Sequence, residues 1–187
     1  MLGAFKNKLK LLARDPQDPF TDRIRKLVGS REAVFYEDPL RRMILAIPEM
    51  ITQIRTWTDV AGPPSPLRRL HEFALAYLYN PTDFLPEKNH GLFGYVDDAY
   101  LVACVYDRTT HETEWAGIKP YTESPVLDRD VPTWLEITRR LLPKVTSKID
   151  DMLDKLTEPR QPREFRGQST TAPTRAGQRS VRARTIR

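Results

Sequence analysis

An all-α fold is predicted by three features of this 187-residue chain. Apolar side chains recur every three or four positions in successive stretches, which is the spacing of one helix face. Proline and glycine clusters separate those stretches. No alternation of apolar and polar residues runs long enough to read as a strand. The expected architecture is a compact bundle of five to six helices built around one helical hairpin, with a disordered tail.

The elements follow in order. Residues 2–13 form a short basic amphipathic helix, with Leu2, Phe5, Leu9 and Leu12 on one side and Lys6, Lys8 and Lys10 between them. Asp15-Pro16 ends it, since the residue before proline is pushed out of the α region. Asp18-Pro19 opens a second helix carrying Phe20, Ile24, Leu27 and Val28, and Gly29-Ser30 interrupts it. Asp38-Pro39 repeats the start signal before the stripe Leu40, Met43, Ile44, Ile47, Ile51 and Ile54, with Pro48 predicted to kink it. After the break Gly62-Pro63-Pro64-Ser65-Pro66, a helix with Leu67, Leu70, Ala74, Tyr77 and Leu78 runs to Asn80-Pro81. A loop reaches Gly94, and a helix from about Tyr95 to Asp107 places Val96, Tyr100, Ala103 and Cys104 on one face. Residues 108–130 are expected to be irregular. A last long helix opens at Asp130-Val131-Pro132, bends at Pro143, and carries the heptad-like seam Leu142, Val145, Ile149, Met152 and Leu156.

Composition excludes several classes of function. The single cysteine, Cys104, rules out an internal disulfide and any site built from several thiolates, and fits a reducing compartment. Met1–Arg14 is too charged for the apolar core of a signal peptide, and no apolar run reaches the roughly 18 residues of a membrane span. The expectation is a soluble cytoplasmic protein, with the inner membrane surface as a peripheral alternative. The net charge of +5 is unevenly placed. Residues 158–187 hold eight arginines and two acidic residues, whereas 1–157 hold 22 basic and 23 acidic residues. The division is therefore an N-terminal helix (1–14), a helical domain (15–157) and an arginine-rich tail (158–187) too poor in apolar residues to offset its ordering entropy. Arg175, Arg179, Arg182, Arg184 and Arg187 are its candidate contacts with a polyanion or an acidic partner.

The most informative segment is YLYNPTDFLPEKNHGLFGYVDD, residues 77–98. Pro81 stops one helix, Asp83 accepts bonds from nearby backbone N–H groups, and Pro86 stiffens the turn. Gly94 supplies a conformation with positive φ, and Asp97 and Asp98 occupy the first turn of the next helix, where unpaired N–H groups favour carboxylates. Tyr77, Pro81, Asp83, Pro86, Gly94, Asp97 and Asp98 together resemble the YkvA-like family, a bacterial domain of unknown function, over roughly residues 67–106. Glu87 stands where that family usually has Asp, and the stretch before Gly94 is polar here. The resemblance implies a helical hairpin and no activity.

Two readings of the carboxylates stay open. Asp83, Asp97 and Asp98, with Glu87, have the oxygen chemistry that Mg²⁺ or Ca²⁺ requires. The same residues serve equally as helix caps. No HExxH, Cys–His or nucleophile-elbow motif accompanies His71, His90 or His111. His71 reads as a boundary residue, His90 as a contact within the loop, and Cys104, Trp57 and Trp134 as core. Trp115, in the irregular segment, is the candidate partner contact. These features point to a non-catalytic interaction or scaffold subunit of a bacterial cytoplasmic assembly. The alternatives are a peripheral membrane protein using Leu2, Phe5, Leu9 and Leu12, and a carboxylate-metal enzyme.

Overall fold

The computed structural model describes residues 2–61, 65–78, 84–85, 90–115 and 124–158, excluding the side chains of 60, 61, 65 and 113–115. Among these residues every regular element is helical. They are α1 (Leu2–Arg14), α2 (Phe20–Val28), α3 (Ser30–Ala61), α4 (Ser65–Tyr77), a 3-10 turn (Gly91–Tyr95), α5 (Val96–Trp115), α6 (Pro125–Leu141) and α7 (Pro143–Thr157). No helix among the described residues is long and apolar enough to cross a membrane.

The spine is α3, which packs against α1, α2, α5 and α6. The start signal at Asp38-Pro39 does not open it: the helix begins at Ser30 and passes through both Pro39 and Pro48. An interior proline costs about 3 kcal/mol. Against that stands one continuous buried stripe, Leu40, Met43, Ile44, Ile47, Met50, Ile51, Ile54 and Trp57. Each fully buried side chain of this size contributes roughly 1.5–3 kcal/mol, so the stripe outweighs the prolines.

The described residues of the stretch 108–130, expected to be irregular, are helical apart from Ser124, because α5 runs on to Trp115 and α6 begins at Pro125. The polar side chains that suggested a loop are satisfied inside the helix. Thr109 donates to the Val105 carbonyl at 2.7 Å, and Thr110 to that of Asp107 at 2.8 Å. The last expected helix divides in two at Leu142 (φ −127, ψ 54), the residue that Pro143 excludes from the α region. That division brings the described helices to seven. The α7 seam is used internally: Ile149 is buried, and Val145, Met152 and Leu156 pack on the core.

α1 turns its apolar side inward. Leu9 is buried, Leu2, Phe5 and Leu12 pack against the core, and the Phe5 ring meets Tyr95 edge-on at 5.8 Å. Its end is tied to the spine by Arg41, which donates to the Ala13 carbonyl at 2.7 Å. Residues 159–187, with all five candidate arginines, lie outside the described residues.

Candidate functional site at the central hairpin

α4 and α5 pack together as the predicted hairpin, and among the described residues it carries the buried polar side chains His71, Asp97, Asp98 and Thr109. Asp97 is 1% exposed. Its Oδ2 accepts the Phe84 N–H at 3.0 Å, the Leu85 N–H at 3.2 Å and the Tyr77 hydroxyl at 3.4 Å. Tyr77 in turn stacks on Phe84, with ring centroids 6.5 Å apart. Asp97 was expected to cap its own helix. It instead ties the connection between α4 and α5 to the start of α5, because the 3-10 turn already extends the helix N-terminally. Asp98 is buried beside it.

A second carboxylate, read from the sequence only as the opening of α2, holds the 3-10 turn from the other side. Asp18 accepts the Phe20 N–H through Oδ1 and the Leu92 N–H through Oδ2, at 2.9 and 2.8 Å. The contact requires glycine at 91. Gly91 has φ +55, and a Cβ there would lie 2.3 Å from Asp18 Oδ2 and 2.9 Å from Pro19 Cδ. The positive φ expected at Gly94 thus belongs to Gly91, while Gly94 is a buried residue inside the 3-10 turn. Two glycines three apart around Leu92-Phe93 are a sequence signal for such a close approach.

Residues 73–104 match the family model of DUF1232, a protein of unknown function. The DUF1232 match runs from Phe73 in α4 to Cys104 in α5, and it contains Tyr77, Gly94, Asp97 and Asp98. It agrees with the likeness to the YkvA-like family seen in the sequence. No curated protein and no solved structure showed a significant match to the chain.

Just outside the matched residues, His71 of α4 meets α3 and the later part of α5. His71 was expected at the edge of the buried helix face, between core and surface, and is instead 0% exposed. Its Nδ1 lies 2.7 Å from the Thr58 hydroxyl and its Nε2 2.9 Å from that of Thr109. Burial pulls its pKa down to about 4. Each threonine also contacts its i−4 carbonyl, Thr58 at 2.9 Å and Thr109 at 2.7 Å. The ring is therefore a neutral hydrogen-bonding bridge between α3, α4 and α5 at neutral pH.

Further along the segment, Asp150 of α7 accepts the Tyr100 hydroxyl at 2.9 Å, and Arg139 Nε lies 3.4 Å from it. Cys104 lies in this cluster, its Sγ 3.7 Å from Asp150. Burial, and then the Asp150 carboxylate, push its pKa up to about 12, so it is a protonated core thiol at neutral pH. Burial likewise raises Tyr100 and Tyr106, the latter donating to Asp128 at 2.7 Å.

The expected site residues therefore separate. Tyr77, Gly94, Asp97 and Asp98 converge at the base of the hairpin. Pro81, Asp83, Pro86 and Glu87 lie outside the described residues, as does the Trp115 side chain. Among the described residues, no group of three or more His, Cys, Asp or Glu could hold a metal. His90 is half-buried, its ring tilted over Phe93 at 6.5 Å, and His111 is on the surface near Asp107. Trp57 and Trp134 are core, as expected.

Proposed function

We propose that this chain is a non-catalytic interaction or scaffold subunit of the bacterial cytoplasm. The central hairpin serves as rigid framework and the α2–α3 hairpin as the contact surface. The observation that carries the reading is the exposure of Val34 and Phe35 at 70% and 73%, on the helix whose other side forms the core. Large apolar side chains grouped in water are the mark of an interaction surface rather than of random surface composition. The ionisable groups of the central hairpin support the framework role. Asp97 is engaged by its three donors, His71 is bridged on both ring nitrogens, and the Cys104 thiol is held protonated.

The test is fractionation of the full chain in its native host beside Val34→Ser/Phe35→Ser. Wild-type protein is expected to travel with a larger particle or with membranes, and the double variant to be released to the free fraction. Identical distributions would reject the reading.

A further inference from the structure

Six large apolar side chains are exposed among the described residues, and Leu11, Leu27, Val34 and Phe35 all fall in the first 36. Charge divides at the same place. Residues 1–36 carry eight basic and four acidic side chains, whereas 37–157 carry fourteen and nineteen. The amino-terminal part is thus net +4, the segment 37–157 net −5 and the tail 158–187 net +6.

The α2–α3 hairpin brings Leu27, Val34 and Phe35 near one tip. Thr21 and Arg25 reach Glu37 at 3.2 and 3.9 Å, and Arg41 lies over the Phe20 ring at 4.8 Å, so the helices run antiparallel. They are joined at Gly29, whose φ of 84 allows the reversal. Leu27 precedes that turn, and Val34 and Phe35 stand in the first turns after it. Exposed Lys26 and Arg31 flank them, with exposed Glu32 between Arg31 and Val34.

We infer that this tip docks on an anionic lipid bilayer. Val34 and Phe35 enter the boundary between headgroups and acyl chains, and Lys26 and Arg31 meet the lipid phosphates. The inference rests on the contact-surface reading above and supplies its partner. Three observations favour a bilayer. The apolar side chains project from a helical turn with about 70% exposure, so they suit penetration into a soft interface rather than enclosure in a cleft. Basic residues beside them gain from the negative surface potential of such a membrane. The turn region itself, residues 25–35, carries three basic side chains and one acidic, so its own charge favours that surface. A symmetric pair of copies joined through this tip would instead bring two sets of cations together. The surface differs from the one expected in the sequence, since Leu2, Phe5, Leu9 and Leu12 face the core.

The experiment is vesicle co-sedimentation of the full chain, with phosphatidylcholine alone and with about one quarter phosphatidylglycerol, at about 0.1 M salt. Binding is expected to the mixed vesicles and not to phosphatidylcholine alone. Val34→Ser/Phe35→Ser should weaken it by about tenfold or more. Lys26→Glu/Arg31→Glu should weaken it most at low salt, and the difference from wild type should narrow as salt rises. The indole introduced by Phe35→Trp should be quenched by brominated acyl chains, a readout the arginine-rich tail cannot produce. Both serine substitutions are on the surface, and a retained circular dichroism spectrum shows that they fold. Absence of binding, or unchanged binding by Val34→Ser/Phe35→Ser, overturns the bilayer assignment. If that variant instead dissolves a dimer or releases a protein while vesicle binding is unchanged, the contact-surface reading stands and the lipid partner falls. If it changes none of these, both fall.

Discussion

The molecule contains two helical hairpins that close in opposite ways. The α2–α3 hairpin turns at one residue, Gly29, and a Cβ there would meet nothing within 4 Å. The α4–α5 hairpin spans a longer connection, tied down by Asp97 from its own helix and by Asp18 from the start of α2. A long connection carries many backbone N–H groups, and those held against the core need acceptors. A tight turn carries few, and water serves them. The buried Asp97 accordingly supplies acceptors to the second hairpin's connection, where it stabilises the fold. The side chains of the first hairpin's tip are left in solvent, where they are available for contact.

If that contrast is correct, the largest loss of stability should come from Asp97→Ala. It removes the acceptor of two backbone N–H groups and a tyrosine hydroxyl in one step. Leaving buried donors unpaired costs about 1–3 kcal/mol for each group. Because the loop donors are partly solvated, we expect a total of about 3–4 kcal/mol in denaturant unfolding. Asp97→Asn keeps an acceptor oxygen and should cost about 1 kcal/mol. A gain in melting temperature from Mg²⁺ or Ca²⁺ that disappears in Asp97→Asn would show instead that the carboxylate is a ligand, since a ligand stabilises the state that binds it.

His71 offers a pH test of the same hairpin. Its pKa is held near 4 in the folded protein, against 6.5 when exposed. The unfolded state therefore takes up a proton first. The stability associated with the neutral ring is fully present above pH 6.5 and declines as pH falls, until the loss levels off near pH 4. The size is on the order of 3 kcal/mol. His71→Gln cannot titrate, so its stability should fall less steeply than wild type across that window. Parallel curves would show that the ring is not buried neutral.

Much of this architecture was legible in the sequence, and the misreadings have physical causes. The inward sides of α2, α3 and α7 were marked by regular apolar spacing, because burial on one side of a helix imposes it. Proline misled at Asp38-Pro39: it is a local signal, and its cost of a few kcal/mol is exceeded by a stripe eight residues long. Thr109 and Thr110 read as loop residues because composition does not reveal a hydroxyl bonded back to its own helix. Asp97 was found by its motif, but its partners are twelve or more residues away and fixed by tertiary structure. The ties made by Asp18 and His71 escaped for the same reason. They are contacts 74 and 38 residues distant in sequence, beyond any local pattern.

The two hairpin glycines give a smaller and more direct contrast. Both have positive φ, 84 at Gly29 and 55 at Gly91. Alanine at either position adds backbone strain of about 1–2 kcal/mol. At Gly29 nothing crowds the new methyl, so strain is the whole cost. At Gly91 the methyl must also displace the Asp18 carboxylate, and the Pro19 ring at 2.9 Å cannot swing away. Gly91→Ala should therefore exceed Gly29→Ala by about 1 kcal/mol or more, reflecting the lost bond from Leu92 N–H to Asp18. Equal costs would mean that the Asp18 tie contributes nothing.

The smallest expected effect lies at the tip of the first hairpin, and its smallness is the point of the test. Phe35 is 73% exposed, and the core side of its helix is formed by Ala33 and Leu40. Replacing it with serine removes an aromatic ring that water already surrounds, so little burial is lost on folding. Serine is a slightly weaker helix former than phenylalanine or its equal, which leaves a few tenths of a kcal/mol at most. The change in unfolding free energy should stay within about 0.5 kcal/mol, as for other surface positions away from caps and buried networks. A residue that folding does not require and that solubility disfavours needs another reason to be phenylalanine, and a contact supplies one. Denaturant titration of Phe35→Ser beside wild type decides the matter. A loss of 2 kcal/mol or more, the size expected for a core aromatic cut short, would place Phe35 inside the folding core and remove the contact surface.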